Sequence, residues 1–141
     1  MCGIYGYVGD QQAVDFLIDG LRRLEYRGYD SAGVAIMGPN GSINVVKRGK
    51  HKSSIKLLSK VLTKSENPGT LGIGHTRWAT HGAISEVNAH PHTDPENNVA
   101  IVHNGIVENY LEIKSALQSK GFNFASETDS ELIACLIADE I

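Results

Sequence analysis

Cysteine follows the initiator methionine directly, at position 2. Because cysteine is small, removal of Met1 is expected, and it leaves one residue that carries both a thiol and a free α-amine. The thiol is a nucleophile, and the neighbouring amine can act as its base. An α-amine titrates near ~7.7–8.0, against ~10.4 for a lysine, so it can accept a proton near neutral pH. Cysteine at position 2 also occurs by chance, so a catalytic role for Cys2 depends on what the rest of the chain contains.

A cysteine that cleaves an amide needs hydrogen-bond donors aimed at the oxyanion that develops on the carbonyl oxygen. Asn104 offers a side-chain amide, and Gly105 offers a backbone N–H that no side chain obstructs. If the substrate is a free amino acid, Arg77 can bind its α-carboxylate through two parallel hydrogen bonds. Asp129 can then bind the α-ammonium group. These residue types suit a cysteine that attacks an amide of a free amino acid.

Each of these residues also has a purely structural interpretation, without a role in catalysis or substrate binding. Asn-Gly is a common turn pair, so Asn104 and Gly105 could simply reverse the chain. Asp129 at a helix start is favourable for the helix dipole alone. Arg77 on its own could be a surface ion pair, and Trp78 could serve packing. The individual residues leave these alternatives open.

The histidines suggest a different hypothesis. Five of the six lie between positions 75 and 103, and together with a thiolate they could bind zinc. Their spacing matches no structural zinc site, because the chain has neither a paired CxxC nor an HExxH motif. We therefore expect no metal and no cofactor, with metal binding kept as an alternative. Cys135, among apolar residues near the end of the chain, is interpreted as a small core residue.

Composition excludes several classes of protein. The 141 residues are 41% hydrophobic and 21% charged, which is typical of one globular domain. The net charge of -3 leaves no basic footprint, so we expect no nucleic-acid partner. No apolar run approaches the ~20 residues that span a bilayer, so we expect no membrane association. Two cysteines make no disulfide framework, which indicates the cytoplasm.

Hydrophobic patterning predicts an alternation of strands and helices. The predicted strands cover residues 4–9, 34–37, 43–47, 71–75, 98–102 and 122–125, with those at 34–37 and 98–102 buried. A helix with apolar residues from Val14 to Leu24 follows the first strand, and a more exposed helix carries Ile55, Leu58 and Leu62.

Two more helices are predicted in the last third of the chain. One is capped by Asn109, ends at Gly121 and has Tyr110, Ile113 and Leu117 on its inner face. The other opens with a capping box, residues 128–131, and has Leu132, Ile133, Leu136 and Ile137 on its apolar side. The chain ends inside this last helix without a cap, so we expect a fold that is incomplete at its C-terminus.

Six motifs in this order resemble the glutaminase domain of class II glutamine amidotransferases. They are Cys2-Gly3-Ile4, LEYRGYDSAG at 24–33, HTRWATHG at 75–82, EVNAHPH at 86–92, VHNG at 102–105 and SETD at 126–129. The residues of the second and third motifs are most similar to those of the glucosamine-6-phosphate synthase branch. The amidophosphoribosyltransferase branch, kept as an alternative, typically has glutamine where Tyr29 stands.

The resemblance implies the N-terminal-nucleophile hydrolase fold. This is an α+β architecture of four layers, αββα, with two stacked antiparallel sheets between helices. Residues 1–141 would be the N-terminal part of the glutaminase domain, without the sugar-phosphate isomerase domain that accompanies it in that branch.

The resemblance also assigns roles. Cys2 would be the nucleophile, and Arg27 would help to order the region around it. Asn104 and Gly105 would form the oxyanion hole. The glutamine-binding residues would be Arg77 for the carboxylate, Asp129 for the ammonium group, and Trp78, Thr80 and His81 on a loop that closes over the substrate.

The implied chemistry is hydrolysis of L-glutamine through a glutamyl thioester. In the full-length family enzyme, expected to be a homodimer, ammonia passes to the separate domain and converts fructose 6-phosphate to glucosamine 6-phosphate. A truncated chain that binds glutamine without turning it over remains the alternative.

Overall fold

The structure is a computed structural model that describes residues 2–28, 30–49, 54–78 and 83–141. Its strands are β1 (Gly3–Val8), β2 (Ser31–Met37), β3 (Ile43–Gly49), β4 (Leu71–Arg77), β5 (His92–Thr93) and β6 (Ala100–Ile101). Its helices are α1 (Ala13–Leu24), α2 (Ser54–Val61), α3 (Tyr110–Ser119) and α4 (Ser130–Glu140). None of these helices is long and apolar enough to cross a membrane.

The larger sheet has the strand order β1-β4-β2-β3 and is antiparallel throughout. β4 is central: Thr76, near its end, pairs with Gly3 of β1 on one side and with Ala32 of β2 on the other. β2 is buried along nearly its whole length, as its apolar sequence predicts. The start of the chain therefore lies beside the end of the central strand.

One face of this sheet is covered by α1 and α2. The apolar stripe predicted for α1 is confirmed, because Val14, Leu17 and Leu21 are buried in the main core. The predicted face of α2 is confirmed as well, since Ile55, Leu58 and Leu62 join the same core. Apolar area removed from water stabilises by ~25 cal/mol per Å², so this packing stabilises the N-terminal half.

The other face of the sheet is approached by the two-stranded sheet β5-β6. Ala100 of β6 and Ile73 of β4 line one small apolar cavity, together with Ala35 of β2. α4 packs against β5 and β6, and α3 packs against α4. The layers are therefore helices, sheet, sheet and helices, which is the predicted αββα order.

A second, smaller core lies between α3 and α4. It contains Leu117, Leu132 and Cys135, so the predicted core position of Cys135 is confirmed. The prediction was wrong for Leu136 and Ile137, which are 39% and 41% exposed. The buried stripe of α4 runs through Glu131, Leu132, Ala134 and Cys135, and the next two apolar residues fall outside this stripe.

Two predicted strands differ in the structure. The strand predicted as buried at 98–102 is paired only at Ala100–Ile101 and is half-buried there. Residues 122–125 form no strand, because the Ala125 N–H donates to the Glu131 carboxylate at 2.8 Å. A carboxylate that accepts backbone amides removes them from a possible ladder.

The predicted end of α3 at Gly121 is confirmed, because Gly121 has a φ of 95° and its N–H donates to the Gln118 carbonyl oxygen. The caps predicted at the N-termini of α3 and α4 are wrong. Asn109 precedes α3 without a side-chain cap, and its backbone is not in the extended conformation that an N-cap adopts. At α4, the Thr128 hydroxyl lies 2.8 Å from His92 Nε2, and Glu131 accepts the Ser126 N–H at 2.7 Å. These side chains connect the start of α4 to other segments instead of forming a capping box.

Gly33 of β2 lies against the backbone of His90, two residues before β5, and this close contact yields a first prediction. A Cβ there would lie 3.2 Å from the His90 carbonyl carbon and closer still to its oxygen. We expect Gly33→Ala to lower the free energy of unfolding by about 1–3 kcal/mol, as overpacking typically does, measured by urea denaturation.

Gly6→Ala is the matched control, because a Cβ at Gly6 of β1 meets nothing within 4 Å. We expect the control to change the urea midpoint little. Equal midpoints for the two variants would contradict the close contact at Gly33.

Candidate active site

The thiol of Cys2 lies at the end of β4. The Trp78 N–H donates to Cys2 Sγ at 3.2 Å, and the Trp78 carbonyl oxygen lies 3.6 Å from the same sulfur. The next residue is anchored too, since the Gly3 N–H donates to Thr76 Oγ1 at 3.1 Å. Antiparallel pairing of β1 with β4 thus determines where the sulfur sits.

The segment after α1 packs against the same strand end. α1 ends at Leu24, a 3-10 turn follows at Glu25–Arg27, and Gly28 is extended. A Cβ on Gly28 would lie 2.8 Å from the Arg77 carbonyl carbon. A side chain at position 28 would therefore clash with β4. The position of Gly28 after the end of a helix is only part of the reason for a glycine here.

Asn104 reaches this point from a distant part of the chain. Its Nδ2 donates to the Cys2 carbonyl oxygen at 3.2 Å, and its Oδ1 lies 2.8 Å from His75 Nε2. A turn would not require this pair of contacts. The side-chain amide that the sequence predicted as a donor is therefore next to the residue predicted as the nucleophile.

These groups line a cleft of about 260 Å³. Six of the nine predicted site residues line it: Cys2, Arg27, Arg77, Trp78, Asn104 and Gly105. Thr80 and His81 lie outside the described residues. Motifs that are far apart in the sequence thus converge on one cleft.

Asp129 lies beside the cleft, and its neighbours Thr128 and Ser130 are lining residues. Its Oδ2 accepts the Val107 N–H at 2.7 Å. Since an ionised carboxylate has roughly four acceptor positions, this contact orients Asp129 and still permits a further donor.

Arg77 is only 5% exposed, which rules out the surface ion pair considered from the sequence. Its Nη1 donates to the Ala83 carbonyl oxygen at 3.3 Å. A guanidinium at the cleft wall is an attractive partner for a planar carboxylate.

Sequence reasoning missed the histidines as lining groups. His75, His90 and His103 all line the cleft, and the rings of His75 and His90 stack at 4.2 Å. His90 also meets His92 edge to face at 4.5 Å. Within the described residues no group of three or more potential metal ligands converges. The only sign of these lining histidines in the sequence was the concentration of histidines between positions 75 and 103. That concentration suggested a metal site and gave no indication that the rings line the cleft.

Burial keeps the rings of His75, His90 and His92 neutral at pH 7, because it lowers the pKa of each. It lowers the pKa of His75 to about 4, although the hydrogen bond with Asn104 opposes the shift, and it lowers the pKa of His92 to about 3. The pKa of His90 is held far below its usual range, first by burial and then by the neighbouring His75. A neutral imidazole has one donor and one acceptor, so each ring can satisfy a definite partner.

Comparisons with known proteins agree with this geometry. A family model described as glutamine amidotransferase domain matches residues 61–140. The chain belongs to this family. The resemblance inferred from the sequence is thereby confirmed.

Curated relatives of this amidotransferase chain are named glutamine–fructose-6-phosphate aminotransferase [isomerizing]. The protein of Thermus thermophilus is 55% identical over 139 residues, and that of Clostridium perfringens is 52% identical over 137 residues. The match covers 99% and 97% of this chain but 22% of each relative. The chain thus spans about a fifth of the length of these proteins.

Solved structures confirm the N-terminal-nucleophile fold. The glutamine phosphoribosylpyrophosphate amidotransferase of B. subtilis, complexed with ADP and GMP, superimposes with a TM-score of 0.77 and 27% identity. A structure titled as the allosteric regulatory enzyme of purine biosynthesis gives 0.75 and 28%. Each covers 98% of this chain and 29% of the other.

The buried histidines of this amidotransferase domain predict a pH-dependent stability. The folded pKa of His92 is about 3, below its ordinary value of 6.5, so the unfolded chain binds more protons between these values. The free energy of unfolding should therefore fall as pH drops from about 6.5 toward 3, by at most ~1.36 kcal/mol per pH unit for each such histidine. We expect a shallower slope in His92→Gln, measured by urea denaturation at several pH values.

Thr128→Val is the matched control for this experiment. It removes the hydroxyl that lies 2.8 Å from His92 Nε2 but leaves the imidazole buried. We expect lower stability at every pH and an unchanged slope. A slope that is the same in His92→Gln and in the parent chain would show that this ring does not titrate on unfolding.

Proposed function

We propose that this chain hydrolyses the side-chain amide of L-glutamine, with Cys2 as the nucleophile. The observation that carries the proposal is the meeting of Cys2 and Asn104 at one cleft, with the Asn104 amide 3.2 Å from the Cys2 carbonyl oxygen. Membership of the glutamine amidotransferase domain family supports glutamine as the substrate.

The proposed reaction begins after removal of Met1. The Cys2 sulfur attacks the side-chain carbonyl carbon of glutamine, and the Cys2 α-amine takes the thiol proton. The oxyanion is stabilised by the Asn104 side-chain N–H and the Gly105 backbone N–H. The C–N bond breaks as the α-amine passes its proton to the departing ammonia. Water then attacks the glutamyl thioester, which releases glutamate and restores the thiol.

The remaining site residues would bind the substrate. Arg77 would hold the α-carboxylate, and Asp129 would hold the α-ammonium group. Arg27 would order the region around the nucleophile. Trp78, Thr80 and His81 would close over the bound glutamine.

We further propose a destination for the ammonia. The relatives are named for transfer to fructose 6-phosphate, so the product would be glucosamine 6-phosphate. In this proposal residues 1–141 are the N-terminal part of the glutaminase domain of a cytoplasmic, homodimeric enzyme, and a separate domain binds the sugar phosphate. The 22% coverage of those relatives supports this division of labour.

Two alternatives remain testable. In the first, the chain binds glutamine without turning it over. In the second, it serves an amidophosphoribosyltransferase, which the 27% identity to the B. subtilis enzyme favours less than the 55% identity to the Thermus relative.

The nucleophile can be tested with two cysteine variants. We expect glutamate release from glutamine by chain whose mass confirms loss of Met1, and we expect Cys2→Ala to abolish it. Cys135→Ala is the control, because that thiol is buried in the core between α3 and α4, where burial raises its pKa to about 11.

Equal loss of turnover in both cysteine variants would contradict a specific role for Cys2. Folded parent chain that binds glutamine by calorimetry but releases no glutamate would favour the non-catalytic alternative. Folding of each variant is checked by its urea midpoint.

Arg77→Lys tests the carboxylate contact. Lysine retains the charge but loses the two parallel hydrogen bonds, each charge-assisted bond being worth ~1.5–3 kcal/mol. We expect KM for glutamine to rise about tenfold or more with a smaller change in kcat. Arg23→Lys is the control, since Arg23 is exposed on α1 and paired with Asp19. An unchanged KM in Arg77→Lys would remove Arg77 from the substrate site.

A further inference from the structure

His75 has no assigned role, yet it is among the best-placed side chains in the cleft. It lies on β4, is 1% exposed, and lines the cleft that contains Cys2. Its Nε2 is 2.8 Å from Asn104 Oδ1. Since Asn104 Nδ2 donates to the Cys2 carbonyl oxygen, Oδ1 is the acceptor, and the His75 proton must sit on Nε2.

This contact matters because a side-chain amide has two chemically opposite ends. If the Asn104 amide rotated by half a turn, an oxygen would replace the nitrogen on the Cys2 side. An oxygen there would repel a developing oxyanion, whereas an N–H stabilises it. Two contacts oppose the rotation together: the rotated amide would place its oxygen against the Cys2 carbonyl oxygen and its NH₂ group against the His75 Nε2–H.

The surroundings of His75 hold its ring in place for this task. The ring stacks on His90 at 4.2 Å with an interplanar angle of 19°. Its Nδ1 is buried and has no hydrogen-bond partner among the described residues. Burying an unsatisfied nitrogen is costly, so packing alone would favour an apolar ring at this position. The bond to Asn104 is what the histidine adds.

The segment before Asn104 is held in a similar way. The His103 N–H donates to His90 Nδ1 at 3.4 Å, and His103 Nδ1 lies 3.0 Å from Ser130 Oγ at the start of α4. Backbone and side chain at this corner are therefore positioned by separate imidazoles.

We propose that His75 is a positioning residue whose Nε2–H holds the Asn104 amide in the orientation that presents N–H to the substrate carbonyl. The proposal rests on the proposed glutamine hydrolysis. It concerns an action through Asn104, without contact between His75 and the substrate.

His75→Phe and His75→Gln form the test pair. Phenylalanine keeps the ring stack and removes the donor, so kcat should fall about tenfold to a hundredfold, up to the ~10²–10³ typical of losing an oxyanion donor itself. KM for glutamine should change less than about threefold. Glutamine at position 75 supplies an N–H and should restore part of kcat. Equal kcat in the parent and His75→Phe would overturn the proposal.

A double-mutant cycle separates positioning from general damage. If His75 acts through Asn104, His75→Phe should lower kcat by less than about twofold in an Asn104→Ala background, because the two effects are not independent. Full, multiplicative loss in that background would overturn the proposal.

Alkylation of Cys2 by iodoacetamide, in a Cys135→Ala background, is the second control. In this reaction the Cys2 sulfur displaces iodide from a methylene carbon, and no oxyanion develops. The alkylation rate should therefore be the same with and without His75→Phe. A parallel fall in alkylation would indicate a collapsed cleft and would also count against positioning.

A measurement without turnover distinguishes failure of this proposal from failure of the proposed function. The side-chain ¹⁵N–¹H signals of Asn104 should shift and exchange faster in His75→Phe and return toward the parent in His75→Gln. Unchanged Asn104 signals would overturn the role of His75 even in an active enzyme. Absence of glutamate release from the parent chain, with the expected Asn104 signals, would overturn the proposed function alone.

Discussion

The pairing of β1 with β4 is the constraint on which the rest of the structure depends. Gly3 opposes Thr76, and the hydrogen bond from its amide to Thr76 Oγ1 secures the very start of the chain. Chain termini usually fray, because few contacts hold them. Here the nucleophile candidate is one residue outside a paired strand, so Cys2 gains a definite position against the backbone of Trp78.

The second sheet layer completes the cleft by bringing polar groups inward. Burying polar side chains is unfavourable unless they are hydrogen-bonded. His92 meets Thr128 and Glu131 accepts the amides of Ala125 and Ser126, so the start of α4 is connected to its surroundings by polar contacts. These contacts take the place of the capping box at α4 and of the strand at residues 122–125 that local patterns predicted. The same network sets Asp129 beside the cleft, with its carboxylate oriented by Val107.

The cleft is also a region of low proton affinity. Desolvation lowers the pKa values of His75 and His92 to about 4 and about 3, so the rings remain neutral donors and acceptors near pH 7. Lys47, on β3 behind this cluster, has its pKa lowered to about 8 by burial, with Glu131 opposing the shift. The neutral rings avoid adding further positive charge beside the Arg77 guanidinium. The imidazoles can therefore form hydrogen bonds at the cleft as neutral groups.

The sequence by itself determined the family, the αββα fold, the apolar stripe of α1 and most of the residues that line the cleft. These depend on local spacing and on ordered motifs, both of which are written along the chain. Only the tertiary structure decided that Asn104 bonds to both His75 and Cys2, which lie 29 and 102 residues away in sequence. It also decided which side of α4 is buried and that β6 is only two residues long. Such features could not be predicted locally, because a hydrogen bond or a packing face is chosen by the partner that the whole fold brings near, and propensity along one segment carries no information about that partner.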